Sequence, residues 1–196
     1  MRLDEQGLHN DVVRLDLLEE SDRSRLGVSG AIEAMWDWMP VLPSGTSYNS
    51  YFDYILKMKE RGDIVPFTVT RQLDGAFAGV VGYININRTH RRVSIGYVWH
   101  PEDMRGTAVP KATQMAMIGR AFAARMRRIE FLVADENERA IRSVERLGAK
   151  KEGVLRHYLR LADGSWADIV MLSLVDSEIR AAIDLLKDRV AEMQLA

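Results

Sequence analysis

The chain has 196 residues, 47% of them hydrophobic, and a formal net charge of −1 from 27 Lys+Arg against 28 Asp+Glu. With no cysteine, a disulfide framework, a thiolate nucleophile and any Cys-based metal or redox site are excluded. The length fits a single domain over residues 1–196 that buries its core without staples, and the near-neutral charge argues against nucleic acid as the main partner.

The N-terminal MRLDEQGLHNDVVRL has no apolar stretch of signal-peptide length, and no later run approaches the ~20 apolar residues of a membrane span. The expectation is a soluble, cytoplasmic protein with no membrane partner. DVVRLDLLEE alternates and predicts a first strand over Val12 to Leu17. Ser21 then reads as the N-cap of a short helix, and MPVLPSGTS, with two prolines and a glycine, as a loop. Tyr51, Tyr54, Ile55 and Met58 recur at i, i+3, i+4 and i+7, the stripe of an amphipathic helix that Gly62 ends.

IVPFTVTRQLDGAFAGVVGYININ predicts two strands turning at Asp74-Gly75, and RRVSIGYVWHPED a third, halted by Pro101. A long helix follows the turn Arg105–Ala108. RRIEFLVADEN reads as a strand, and NERAIRSVERLGA as a helix closed by Gly148. KEGVLRHYLRLADGSWADIVMLSLV reads as a hairpin turning at Asp163-Gly164, before a tail helix over about residues 176–193. The order implies a mixed α/β sheet: an antiparallel meander, then a parallel crossover around the long helix.

The turn between third strand and long helix is the first candidate site. A helix N-terminus offers unpaired N–H groups and a partial positive end. Gly106, Thr107 and Ala108 let backbone approach a ligand closely, Pro110 fits the first helical turn, and Arg105 and Lys111 add positive charge. The arrangement suits a phosphate or pyrophosphate. Taken alone it also fits an ordinary capped helix start, and it matches neither the P-loop nor the Gly-x-Gly-x-x-Gly pattern.

GYVWHPEDMRGTAVPKATQMAMIGRAF, ADENERAIRSVERLGAKKEGVLR and DGSWADIVMLSLVDSEI, in that order, resemble the GCN5-related N-acetyltransferases, within them the ribosomal-protein (RimJ/RimL-like) type. The resemblance covers Val12 to Ile179. It implies an antiparallel N-terminal meander with a parallel, splayed pair of strands at a CoA site. It also implies acetyl transfer from acetyl-CoA, without a metal, to an amine: a protein α-amino group or a small molecule. By position it makes Arg105, Gly106, Thr107 and Ala108 the pyrophosphate turn, with Val109 and Lys111 beside it. Val98 and Trp99 would hold the pantetheine arm by backbone hydrogen bonds, the Trp99 N–H serving as oxyanion donor, and Asn137 would meet the pantetheine or adenine side. The chain departs from the family pattern at Asp103, where Gln or Arg is usual, and at Ala140 and Val144, where hydroxyls usually stand.

Those departures leave the proton donor open. Ser143 and Tyr158 are the candidates, each equally readable as a surface or structural residue. His157 shares its predicted face with leucines and reads as a core histidine. Trp36 and Trp38, two apart, do not share one helical face, so one can line the acceptor pocket while the other packs; both as core is the alternative. ARMRRIE is a basic cluster that reads as a cationic helix end. The tail stripe Ile179, Ile183, Leu186 and Val190 serves either a homodimer contact or packing on its own domain. Two other functions stay in view: a non-catalytic acyl-CoA sensor, and an acyltransferase for longer chains.

Overall fold

The computed structural model describes residues 2–5, 7–25, 48–161 and 164–195. Its elements are β1 (Leu8–His9), β2 (Val13–Leu17), a 3-10 turn (Glu20–Asp22), α1 (Tyr48–Arg61), β3 (Ile64–Arg71), β4 (Phe77–Asn87) and β5 (Arg92–Trp99). A second 3-10 turn (Glu102–Met104), α2 (Ala108–Ala123), β6 (Arg128–Ala134), α3 (Glu138–Glu145), β7 (Lys150–Arg160), β8 (Trp166–Val175) and α4 (Ser177–Leu195) follow. One 8-stranded sheet has the order β1-β2-β3-β4-β5-β6-β8-β7. Among the described strands only β5 and β6 pair in parallel, and α2 is the crossover between them. The meander and the crossover both stand as the sequence implied.

Apolar side chains of α2 and α4 pack against one sheet face, on Val81, Tyr83, Val93, Ile95 and Ile129. The opposite face, over β3 to β5, is covered by α1, where Tyr51, Phe52 and Ile55 meet Ile64, Val80 and Trp99. The tail helix stripe is spent within this core: Ile179, Leu186 and Val190 are buried and Ile183 packs beside them. It is not free to serve a homodimer.

Several boundaries differ from the sequence reading. β1 is two residues long and carries no periodic signal. Ser21 lies inside the first 3-10 turn, whose cap is Glu19. Gly148 stands two residues beyond the α3 cap Arg146, its N–H bonding to Glu145 O. Gly164 turns the last hairpin at φ +90°, while Asp163 lies outside the described residues, as do Trp36 and Trp38.

The larger corrections come from bulges. β4 pairs Val80 with Trp99 but Gly82 with Gly96, so β5 carries one extra residue, and Tyr97 sits at φ +52°. The extra residue exchanges faces. Ile95 packs toward α2 and α4, whereas Tyr97 and Trp99, of the same parity, pack toward α1. Ser94 and Val98 therefore do not share one environment: Ser94 is buried and Val98 exposed. In β7 the register shifts between Leu155 and Leu159, and His157, at φ +49°, is pushed out of the leucine row into solvent. It is not a core histidine. Its N–H donates to Asp168 Oδ1 at 2.7 Å, and its ring stacks on Trp166.

Candidate active site

The parallel pair is short. β5 and β6 are joined only at Arg92–Arg128, Val93–Ile129 and Ser94–Glu130. Beyond that point β5 stays on β4 and β6 stays on β8, so the strands part in a wedge. Both run the same way, and both lead into helices at the wedge's open end, α2 after β5 and α3 after β6. Ligands of α/β sheets bind at such carboxyl ends of strands.

On the β5 side the 3-10 turn delivers the chain to α2. Thr107 is its N-cap: its Oγ accepts from Val109 N at 3.2 Å and donates to Met104 O at 2.7 Å. Gly106 is exposed at φ +84°, with open space where a side chain would stand. Arg105 donates Nε to His100 O at 3.0 Å, a bond that leaves its terminal nitrogens outside it. Lys111 lies half-buried one turn into α2. Val109 is a core residue whose N–H already serves the cap, so neither its side chain nor that donor faces outward. Asp103 is near enough to Arg71 of the β3–β4 hairpin to help raise that guanidinium's pKa, after the larger effect of Asp74.

On the β6 side Asn137 caps α3, its Oδ1 accepting from Ala140 N at 3.1 Å. That leaves its amide nitrogen as the group able to meet a ligand. Arg142 is paired with Glu138 at 2.7 Å on the exposed face of α3, where Ser143 is also exposed. Tyr158 is exposed on the bulged β7.

Three site residues went unread in the sequence. Glu130 closes the wedge's vertex, 5% exposed, and accepts from Arg128 Nε (2.7 Å), Ser94 Oγ (3.1 Å) and Arg92 Nη1 (3.4 Å). With three donors on it, the carboxylate holds the vertex rather than offering a free proton acceptor. Arg128-x-Glu130 on one strand face was its only signal. Tyr97 places its hydroxyl by Met58 Sδ, and burial, with Tyr54 nearby, pushes the phenol well above the usual tyrosine range. His100, just after β5, is 8% exposed; its Nδ1 donates to Ala78 O at 2.7 Å, so the neutral ring keeps its lone pair on Nε2. Neither that atom nor Trp99 Nε1 has a partner among the described residues.

Burial pushes the His100 pKa down, and Arg105 adds to this against the opposing bond to Ala78 O. A folded-state value below the unfolded ~6.5 means that the unfolded chain binds more protons. Stability from this group is complete above that value and is lost as pH falls through it. Melting temperatures at pH 8.0 and pH 5.5 should therefore fall further apart for wild type than for His100→Gln. Equal spacing in the two proteins overturns the assignment.

The family model for the acetyltransferase (GNAT) domain matches residues 13–150. The chain belongs to the GNAT acetyltransferase family. It is 25% identical over 174 residues to a Bacillus subtilis (strain 168) protein provisionally named ribosomal N-acetyltransferase YdaF, covering 86% of this chain and 94% of that one. A GCN5-related N-acetyltransferase from Brucella melitensis has the same fold, with a TM-score of 0.84 at 21% identity over 95% of this chain and 86% of the other. A spermidine N-acetyltransferase from Vibrio cholerae, solved with CoA and spermine, follows with a TM-score of 0.71 at 19% identity over 87% of this chain and 99% of that one.

The protein is an N-acetyltransferase of this family, and its sheet is a mixed α/β sheet. Among the described residues no cluster of His, Asp and Glu is placed to hold a metal ion. No described helix is long and apolar enough to cross a membrane.

Proposed function

We propose that this acetyltransferase holds the pantetheine arm of acetyl-CoA in the wedge between β5 and β6, with the pyrophosphate on the Arg105–Ala108 turn. The observation that carries the reading is the parting of the strands beyond Ser94–Glu130, with two helix N-termini at the open end. An extended chain with amide groups suits two strand edges freed from their ladder, and an anion suits the α2 terminus. Gly106 admits close approach, and Arg105 and Lys111 supply cations. Asn137 contributes its amide from the β6 side.

The amine attacks the thioester directly. It must be neutral, which favours a protein α-amino group (pKa ~8) over a lysine side chain (~10.4) at neutral pH. Likeness over most of its length to a protein named as a ribosomal N-acetyltransferase favours a protein acceptor. The likeness to a spermine-bound structure keeps a small polyamine as the second reading. Backbone N–H groups at Val98 and Trp99, beside the Tyr97 bulge, stabilise the oxyanion. The leaving thiolate, with a cysteine-like pKa near ~8.5, departs with modest help, so Ser143 and Tyr158 carry at most an assisting role.

The test is CoA release from acetyl-CoA with three acceptors: a peptide with a free N-terminus, the same peptide blocked there but carrying lysine, and spermidine. Turnover with the first alone is expected. Turnover confined to spermidine overturns the α-amine assignment. Absence of both turnover and acetyl-CoA binding overturns the wedge assignment.

A further inference from the structure

The overall charge of −1 conceals a local concentration of arginine at the closed end of the sheet. Two distant stretches, Arg88–Arg92 and Ala124–Arg128, meet there because Arg92 pairs with Arg128 across the parallel strands. Arg91 O accepts from both Arg127 N (2.8 Å) and Arg128 N (3.2 Å), which locks the β4–β5 hairpin to the segment after α2. A shallow groove runs over this junction, lined by Arg91, Phe122, Arg125, Met126, Arg127 and Asp176. It continues past Phe122 along α4, by Arg180 and Asp184.

Three features of the groove exceed what packing needs. First, Phe122 is 37% exposed at its centre, with the Arg180 guanidinium 5.0 Å from the ring centroid. Second, Arg91 and Arg125 are both exposed and, among the described residues, neither guanidinium makes an ion pair. Only Arg127 is matched, to Asp176 at 2.7 Å. Third, Arg91 (φ +49°) and Arg125 (φ +63°) occupy left-handed backbone positions. Glycine fills such positions without strain, whereas a side chain there costs on the order of 1 kcal/mol. The closing of the α2 end after Ala124 and the locking of Arg91 to that segment set both φ values, yet arginine and not glycine stands at each, on the rim of one groove.

We propose that this groove binds a single-stranded nucleic-acid segment, with phosphates on Arg91 and Arg125 and one base stacked on Phe122. Guanidiniums match phosphate oxygens in bidentate geometry. An unpaired base has a free face for an exposed ring, whereas a duplex offers none. Among the described residues the groove's one carboxylate without an ion pair, Asp184, lies on the α4 side, which places the phosphate track along the Arg91–Arg125 rim. The CoA turn is at the other end of α2, whose 16 residues span about 24 Å, so the two sites do not overlap.

The test titrates fluorescein-labelled oligo(U) and oligo(dT) 16-mers with the full chain and reads anisotropy. Saturable binding is expected. Two contacted phosphates imply a slope of about −1.4 in log K against log salt, or roughly sevenfold weakening between 50 and 200 mM KCl. The double variant Arg91→Gly/Arg125→Gly relieves strain. It is expected to melt no lower than wild type and to bind CoA unchanged, yet to lose at least tenfold in oligonucleotide affinity. Phe122→Leu is expected to weaken binding with the salt slope retained. Absence of wild-type binding at 50 mM salt overturns the proposal, as does a double variant that binds normally. Displacement by poly-glutamate of equal charge as readily as by oligonucleotide overturns the nucleic-acid assignment in favour of an acidic peptide.

Discussion

Gly106→Glu is expected to lower acetyl-CoA affinity at least 100-fold while leaving a folded protein. At φ +84° the glycine occupies left-handed backbone, and a Cβ there meets nothing within 4 Å. The structural cost is therefore conformational strain alone, about 1–2 kcal/mol, or a few degrees in Tm for a chain of this size. The functional cost is different in kind. A glutamate carboxylate stands two residues before the α2 N-terminus, in the space that the pyrophosphate needs, and competes for the same N–H groups and for Arg105 and Lys111. Losing the phosphate contacts by about 2.7 kcal/mol corresponds to the stated factor. Gly106→Asn separates the two effects, because asparagine tolerates the left-handed region and carries no charge. It should retain most of the affinity. Calorimetry with CoA and thermal melting on the three proteins decide it. A Gly106→Glu protein that binds CoA like wild type sinks the turn as a phosphate site.

That turn was legible in the sequence because its signals are local: a glycine, a capping threonine and a first-turn proline. The hairpin at Asp74-Gly75 and the α1 stripe were legible for the same reason, and Tyr51 and Ile55 are buried where the 3.6-residue period placed them. What the sequence hid depends on pairing. Tyr97 and His157 adopt positive φ without the glycine or asparagine that usually announces it, so nothing local marked the bulges. Each bulge then inverted the alternation used to assign faces. His157 was misjudged through that cause. Glu130 and His100 were missed because their meaning lies in partners on other strands, Ser94 and Ala78. The arginine groove was invisible because its two halves are separated by the whole of α2. The tail stripe was read correctly as apolar, but only tertiary packing could show that α2 and the sheet consume it.

Gly79→Ala is expected to be the most destabilising of the small substitutions available in the sheet. Its φ of +140° lies in a region that essentially only glycine occupies, and an added Cβ would lie 2.2 Å from Trp99 O and 2.7 Å from His100 Nδ1. The first of these is backbone and cannot rotate away, so the end of β5 must move. Overpacking and strain together put the cost at about 3 kcal/mol or more, roughly 6–12 °C in Tm. Gly82→Ala, three residues along the same strand, is the internal comparison. Its Cβ would meet Ile64 Cδ1 at 2.8 Å, the free end of a flexible side chain, and a rotamer change relieves it for about 1 kcal/mol. The two substitutions add the same methyl group to the same strand, so the difference between them measures what the added atom strikes. Gly79→Ala should also lose activity beyond its stability cost. The backbone it displaces is that of Trp99, the proposed oxyanion donor, and the fall should appear in kcat more than in KM below the shifted melting temperature. Equal losses of stability from the two variants would show that the close approach of β4 to Trp99 and His100 is not the feature that fixes the end of β5.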